Sequence, residues 1–379
     1  MIKGINIYWG SDKIFERETE KLTEIHLLTD IINQLDKKIF TIEGAGKTEE
    51  EPLNVKNLLV YTDDYGQIQE WVLLDFCNHI LRNKKLCIEY LWLCNPPTKI
   101  YKNIIKNYKA DIIREHKPET TEISVNELKK LSENYEKEVI GQPNVMRRVL
   151  PAIYALKNEK RKRPVSILFL GASGIGKTET AKYIGEQLGM SLVRIQFSMQ
   201  QTNQAYQYIF GAEHGEDSLA RELIRRESNV VLLDEFDKVS PAFYNAFYQM
   251  FDEGLFVDSN YSVDMSRCIV ICTTNYRSEE EAEKYLGTPI YSRFSKIVVF
   301  DAISIDDKIK IAKKCYQSIL SKMSEEEKML IADNDILNKF NQSIRENAYA
   351  NMRMLKNDIE DAVYYEILKA YDYFLLGTL

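Results

Sequence analysis

The chain has 379 residues, a formal net charge of -7 and a pI near 5.5. At 45% apolar it can bury a sizeable core, and its length points to two or three domains, which excludes a disordered chain. The acidic balance argues against a non-specific nucleic-acid binder. No run approaches the roughly 18 apolar residues of a membrane span, and the start MIKGINIYWGSDK has no continuous apolar stretch like that of a signal peptide, so a cytoplasmic protein is expected.

Residues 1–115 read as a separate α/β unit. Apolar runs at Ile5 to Tyr8, Ile39 to Ile42, Asn57 to Tyr61 and Leu86 to Leu93 alternate with helical patterns at Glu18 to Leu35 and Ile68 to Leu81, and a small, mostly parallel sheet is expected. Gly44 to Thr48 (GAGKT) looks like half a phosphate loop. The first Gly of that pattern would fall at Thr41, and Glu49, Glu50, Glu51 and Pro52 follow, which repel phosphate and offer no apolar helix face. A turn is expected there, and Asp63 and Asp64 read as a polar strand end rather than a metal site. No chemistry is assigned to this unit.

From His116 to Glu138 the chain turns polar and reads as a linker with a charged helix from about Val125. Lys157 to Arg163 (KNEKRKR) reads as a solvated basic loop in an otherwise acidic chain. Six cysteines form no C-x-x-C pair and have no His at metal spacing, so reduced, buried thiols are expected and zinc is not.

The informative stretch is Gly171 to Lys182 (GASGIGKTETAK), entered from the apolar run Val165 to Leu170. Gly171, Gly174, Gly176, Lys177 and Thr178 satisfy G-x-x-x-x-G-K-[ST], in which backbone N–H groups cradle phosphates and the Lys reaches the β- and γ-phosphates. Ala172, Ser173 and Ile175 complete the loop and Glu179 follows it. Thr178 to Leu188 carries apolar residues at helical spacing, so the strand-loop-helix context is met. Phosphoryl transfer also needs a held metal, an oriented water and neutralisation of developing charge. Asn229 to Leu233 is a buried strand ending in Asp234, a candidate Mg²⁺ holder with Thr178, and Glu235, a candidate for polarising the attacking water. A further strand, Cys268 to Cys272, ends in Thr273, Thr274 and Asn275.

With Val139 to Ile153 (VIGQPNVMRRVLPAI) and Tyr291 to Phe300 (YSRFSKIVVF), these motifs resemble the ATPase module of the Clp-type AAA+ unfoldases, most closely the second ring module of the disaggregases. The resemblance covers about Ile123 onward and implies an α/β P-loop fold, with a large subdomain over 139–300 and a small helical lid over 301–379. It implies ATP and Mg²⁺ as cofactors, Val139 and Ile140 in the adenine pocket, Asn275 as the sensor that positions the water, and Arg293 as an arginine finger. Arg353 stands where the family has a second sensor arginine, although the usual Gly-Ala before it is replaced by Asn351 and Met352. An arginine finger acting in trans implies a homo-oligomer, by resemblance a hexameric ring, working on a protein partner. The alternatives are a nucleotide-gated regulatory or defence assembly whose N-terminal domain senses a signal or recruits an effector, and a nucleic-acid motor.

One expected part is missing. Where the family carries a substrate-gripping aromatic flanked by glycines, this chain has Glu213, His214, Gly215, Glu216 and Asp217. An acidic collar grips apolar chain poorly. Tyr206 and Tyr208 alternate as a packed strand face would, so core packing is expected for both.

Overall fold

The computed structural model describes residues 2–39, 52–118, 123–197, 204–211, 215–331, 335–346 and 349–370, without the side chains of 34–39. The GAGKT segment lies outside the described residues, as do Ala212 to His214.

The first unit runs β1 (Gly4–Tyr8), α1 (Asp12–Thr19), β2 (Ile25–Leu27), α2 (Leu28–Ile39), β3 (Leu53–Val60), α3 (Glu70–Leu74), β4 (Leu86–Cys94), α4 (Thr98–Asn107) and β5 (Ile113–His116). Its five strands pair in the order β2-β3-β4-β1-β5, and every pairing is parallel. Ile5, Ile7, Leu58, Val60, Leu91 and Leu93 are fully buried, because helices cover both faces of a parallel sheet. Three sequence expectations need correction. The helical pattern over 18–35 is broken: α1 stops at Thr19, Glu24 takes a positive φ of 55°, and Ile25–Leu27 pairs with β3 before α2 begins. The run expected as a strand at Ile39 to Ile42 begins inside α2, and its remainder lies outside the described residues. The pattern over 68–81 divides into α3 and a π-helical turn at Cys77–Leu81.

Next come α5 (Val125–Glu138), α6 (Val145–Tyr154), β6 (Val165–Leu170), α7 (Lys177–Gln187), β7 (Val193–Gln196), α8 (Gln204–Phe210), α9 (Leu219–Ile224), β8 (Val230–Asp234), α10 (Asn245–Glu253), β9 (Leu255–Val257), β10 (Ser262–Asp264), β11 (Ile269–Thr273), α11 (Glu279–Leu286), α12 (Thr288–Tyr291) and β12 (Lys296–Val299). The strands β12-β6-β11-β8-β7 form a second parallel sheet, with β9 and β10 as a separate hairpin. Alternation with period two divides its side chains between two cores: Leu168, Leu170, Val231, Leu233, Val270 and Cys272 face one, and Ile167, Phe169, Val230, Leu232, Ile269 and Ile271 the other. α5 starts in a capping box, in which Ser124 Oγ accepts from Glu127 N and the Glu127 carboxylate accepts from Ser124 N.

The chain then becomes helical: α13 (Ile305–Leu320), α14 (Glu325–Ile331), α15 (Ile336–Arg345) and α16 (Met352–Ala370) pack around Ala312, Ile344, Leu355, Ile359 and Val363. Residues 332–334, between α14 and α15, lie outside the described residues.

The first unit docks on the second through the carboxyl end of its sheet. Arg225 pairs with Asp12 and donates to Asp63 at 2.9 Å, Arg221 donates to the same Asp63 oxygen, and Lys13 pairs with Glu227 at 2.8 Å. Asp63 is therefore an arginine receptor, while Asp64 accepts from Tyr61 N at 2.8 Å. Among the cysteines Cys77, Cys94, Cys268 and Cys272 are buried, but Cys87 is exposed and Cys315 half-buried, so the expectation of uniformly buried thiols does not hold. Among the described residues no helix is long and apolar enough to cross a membrane.

Candidate nucleotide site

The phosphate-loop strand β6 lies between β12 and β11, and β11 lies beside β8. Because all run parallel, their carboxyl ends bring the loop after Leu170, the Thr273 to Asn275 segment and the Asp234-Glu235 pair to one edge, where open α/β sheets bind ligands. Lys177 is the first residue of α7, whose N-cap Gly176 has a φ of 108°. Two glycines of the loop are sterically required. At Gly171 (φ 140°) a Cβ would collide with Ile175 Cδ1, and at Gly174 (φ 79°) it would collide with the Asn351 side chain.

The loop is held from outside as well. Gln142 is 1% exposed; its Nε2 donates to Ile175 O (3.2 Å) and Asp301 O (2.9 Å), and its Oε1 accepts from Asp301 N (3.1 Å). Thr180 Oγ1 donates to Gly176 O at 2.8 Å and lies 2.9 Å from the Tyr135 hydroxyl, which fixes α7 against α5. Sequence reasoning passed over Gln142, Tyr135 and Thr180; the only signal was that Gln142 stands in the quoted run VIGQP.

Lys177 is 7% exposed and donates to the carbonyls of Gly171 and Ala172 at 2.5 and 2.6 Å. Burial pushes its ammonium down to about 8, against the opposing pull of Asp234, Asp237 and Glu235. Ser173 and Glu179 are exposed, Ala172 and Thr178 half-buried and Ile175 buried. Beside the loop opens a cleft of about 560 Å³ lined by Val139, Ile140, Gly174, Gly176, Glu179, Ile303, Ile311, Cys315 and Met352 among others. Two residues expected at the adenine pocket thus line a cleft of mixed apolar and charged walls next to the phosphate loop, and the helical segment supplies its opposite wall.

Asp234 is 5% exposed and both carboxylate oxygens are engaged. Thr273 Oγ1 donates to Oδ1 at 2.5 Å, while Arg194 Nε and Nη2 donate to Oδ2 at 2.9 and 2.6 Å. Glu235 sits in the left-handed region (φ 56°, ψ 45°), which costs a non-glycine residue roughly 1–2 kcal/mol, and its N donates to Thr273 Oγ1 at 3.0 Å. Thr273 thus connects the two acidic neighbours: its hydroxyl gives its proton to one and accepts from the backbone of the other. Arg194 and Thr273 were not singled out by sequence, since pairing across strands leaves no local pattern. Thr178 and the carboxylate of Asp234 are suitable hard-oxygen partners for Mg²⁺ and its waters.

Asn275 is exposed just beyond β11, with no side-chain hydrogen bond among the described residues. Arg293 is not gathered at this edge. Its Nε donates to Asp252 at 2.8 Å, its Nη1 to Pro289 O, and its guanidinium lies 4.3 Å from the Tyr248 ring centroid. Arg353 is exposed in the first turn of α16, its backbone N donating to Asn351 Oδ1 at 2.8 Å. Asn351, which replaces the small residue of the family pattern, packs on Gly174, while Met352 is buried in the cleft wall.

Tyr206 and Tyr208 are on helix α8, not on a strand. Tyr208 is buried as expected, but Tyr206 is 56% exposed, because one helical turn does not carry residues two apart to the same face. Gly215, Glu216 and Asp217 are exposed ahead of α9.

Residues 162–339 match the family model of the AAA domain of the Cdc48 subfamily. The chain is 31% identical over 218 residues to chaperone protein ClpB of Helicobacter hepaticus, a match covering 50% of this chain and 25% of that protein. It is 26% identical over 310 residues to ClpB of Malacoplasma penetrans (71% and 43%), and 31% identical over 230 residues to ClpB of Staphylococcus aureus (52% and 26%). Each match takes in less than half of the relative's length. The chain carries a Clp-type AAA+ ATPase module.

Proposed function

We propose that this protein binds ATP with Mg²⁺, hydrolyses it between neighbouring subunits of a ring, and uses the cycle to switch or remodel a protein partner. The observation that carries the reading is the gathering of Lys177, Asp234, Glu235 and Asn275 at the carboxyl ends of neighbouring parallel strands, beside a cleft lined by Val139 and Ile140. Lys177 exchanges two loop carbonyls for phosphate oxygens. Thr178 and Asp234 would hold the metal, which would neutralise phosphate charge. Glu235, aimed by its left-handed backbone and by Thr273, takes or polarises the proton of the attacking water, and Asn275 orients that water. Arg293 makes its contacts away from its own phosphate loop, as a residue serving the next subunit does, and it exchanges Asp252 for phosphate when subunits meet. Arg353 supports the site from the helical lid.

Exposed Glu216 and Asp217, the latter with a side chain 92% exposed, favour action on a basic partner or an ATP-gated change of assembly over threading of apolar chain. The test measures phosphate release and particle size with and without ATP, with unfolded protein or nucleic acid added. ATP-dependent assembly with hydrolysis unaffected by nucleic acid is expected. Stimulation by nucleic acid would favour a motor, and ATP-dependent unfolding of a stable test protein would contradict the switch.

A further inference from the structure

The reading above gives Asp234 to the metal, yet both of its carboxylate oxygens already have partners within the chain. Its two partners differ in kind. Thr273 is 2% exposed, its hydroxyl also accepts from Glu235 N, and β11 lies inside the sheet, so this contact is fixed by its surroundings. Arg194 belongs to β7, the edge strand, and its side chain is 42% exposed against 7% for Asp234. Among the described residues, its guanidinium donates, besides Asp234, a long 3.3 Å bond to Gln196 Oε1. A long cation on a sheet edge can turn out to solvent; a buried threonine cannot.

The geometry points to Arg194 as an internal counter-ion that neutralises Asp234 while the site is empty and leaves it when the metal arrives. This inference rests on Asp234 being the metal-side carboxylate. Two N–H donors fill the lone pairs of Oδ2, and a guanidinium 2.6 Å away repels a divalent cation seeking the same oxygen. Without Arg194, the buried carboxylate would have Lys177, on which Asp237 and Glu235 also act, as the nearby cation, and an unpaired buried charge costs more than the pair itself contributes. Arg194 therefore sets the divalent-ion concentration at which the site loads: it keeps the empty site stable and makes metal binding depend on the phosphates that arrive with it. It is a positioning residue; it acts through Asp234 and does not touch the reacting atoms.

The probe is Mn²⁺ alone, read by electron paramagnetic resonance on the nucleotide-free full chain. Arg194→Gln should bind Mn²⁺ about tenfold more tightly than the unaltered chain, the size expected for losing a competing charge-assisted pair. Equal or weaker binding overturns the inference. A merely structural bridge between β7 and β8 would change the unfolding temperature and leave that affinity alone. A measurement on the unaltered chain guards against a variant that does not fold. Phenylglyoxal modification of Arg194, followed by mass spectrometry, should accelerate when saturating Mn²⁺ is added, and an unchanged or slower rate overturns the inference. Binding of a fluorescent ATP analogue in EDTA is measured alongside: its failure would sink the ATPase reading, and the two metal readouts would still decide the role of Arg194.

Discussion

The two five-stranded parallel sheets have similar architecture and different chemistry at their carboxyl ends. In the first, that edge is closed by the protein itself. Asn95, fully buried with φ 46°, accepts from Gly10 N at 2.8 Å and donates to Gly10 O at 2.7 Å and Thr62 Oγ1 at 3.1 Å; Thr62 donates to Asp12, and Asp12 and Asp63 receive Arg225 and Arg221. In the second, the polar groups at the edge are a loop of backbone amides, an exposed Asn275 and two carboxylates, and the side chains covering them, Lys177 and Arg194, are long cations able to move. Whether a sheet edge becomes a structural joint or a ligand site thus depends less on strand order than on whether its polar groups have found partners that cannot leave.

The largest effect should come from the residue that lies outside the nucleotide edge of its own chain. Arg293→Ala should retain nucleotide and lose about 10³-fold or more in turnover, as loss of an arginine finger does. Mixing it with Lys177→Ala should restore part of the activity through hybrid interfaces. A mixture that stays inactive although mixed rings form would place the finger elsewhere.

Next comes pH. Burial pushes Lys177 down to about 8 from its ordinary 10.5, and bound phosphate favours the ammonium. Above about pH 8 binding must take up a proton, so nucleotide affinity should fall by up to tenfold per pH unit. For folding without nucleotide the opposite trend is expected. Between about 8 and 10.5 the unfolded chain holds the extra proton, so this residue's contribution to stability rises with pH and is lost as pH falls through 8. Fluorescence titration of a nucleotide analogue at several pH values reads the first trend; pH-independent affinity would mean that Lys177 does not meet phosphate.

These two residues also show what was legible in the sequence. The phosphate loop, the Asp234-Glu235 pair and Asn275 were readable because each is a short pattern tied to a strand end, and the buried strands β6, β8 and β11 because each is a continuous apolar run. Arg194, Thr273 and Gln142 were not, since their partners lie far along the chain and pairing at that range leaves no periodicity. For the same reason Asp63 was legible as a polar strand end but not as the receptor of two arginines. The helix at 204–210 was misread because QAYQYIF is too short to separate alternation from a helical turn. Between α1 and β2 the chain turns over 20–24 and enters β2 after a positive φ at Glu24, which residue type hardly signals.

The smallest effect belongs to the closed edge. Asn95→Ala should cost about 1–3 kcal/mol by leaving the buried backbone N–H and carbonyl of Gly10 without their Asn95 partners, with nucleotide affinity unchanged. Denaturant unfolding and nucleotide titration together read this, and a loss of affinity would mean that the first sheet contributes to the nucleotide site after all.

The contrast between the edges is tested most directly at Glu235, whose backbone is held left-handed beside Asp234. Nucleotide affinity and phosphate release should be measured on the same preparations of the unaltered chain and Glu235→Gln. The account predicts unchanged affinity and turnover about 10²- to 10⁴-fold lower. Turnover equal to that of the unaltered chain would contradict it.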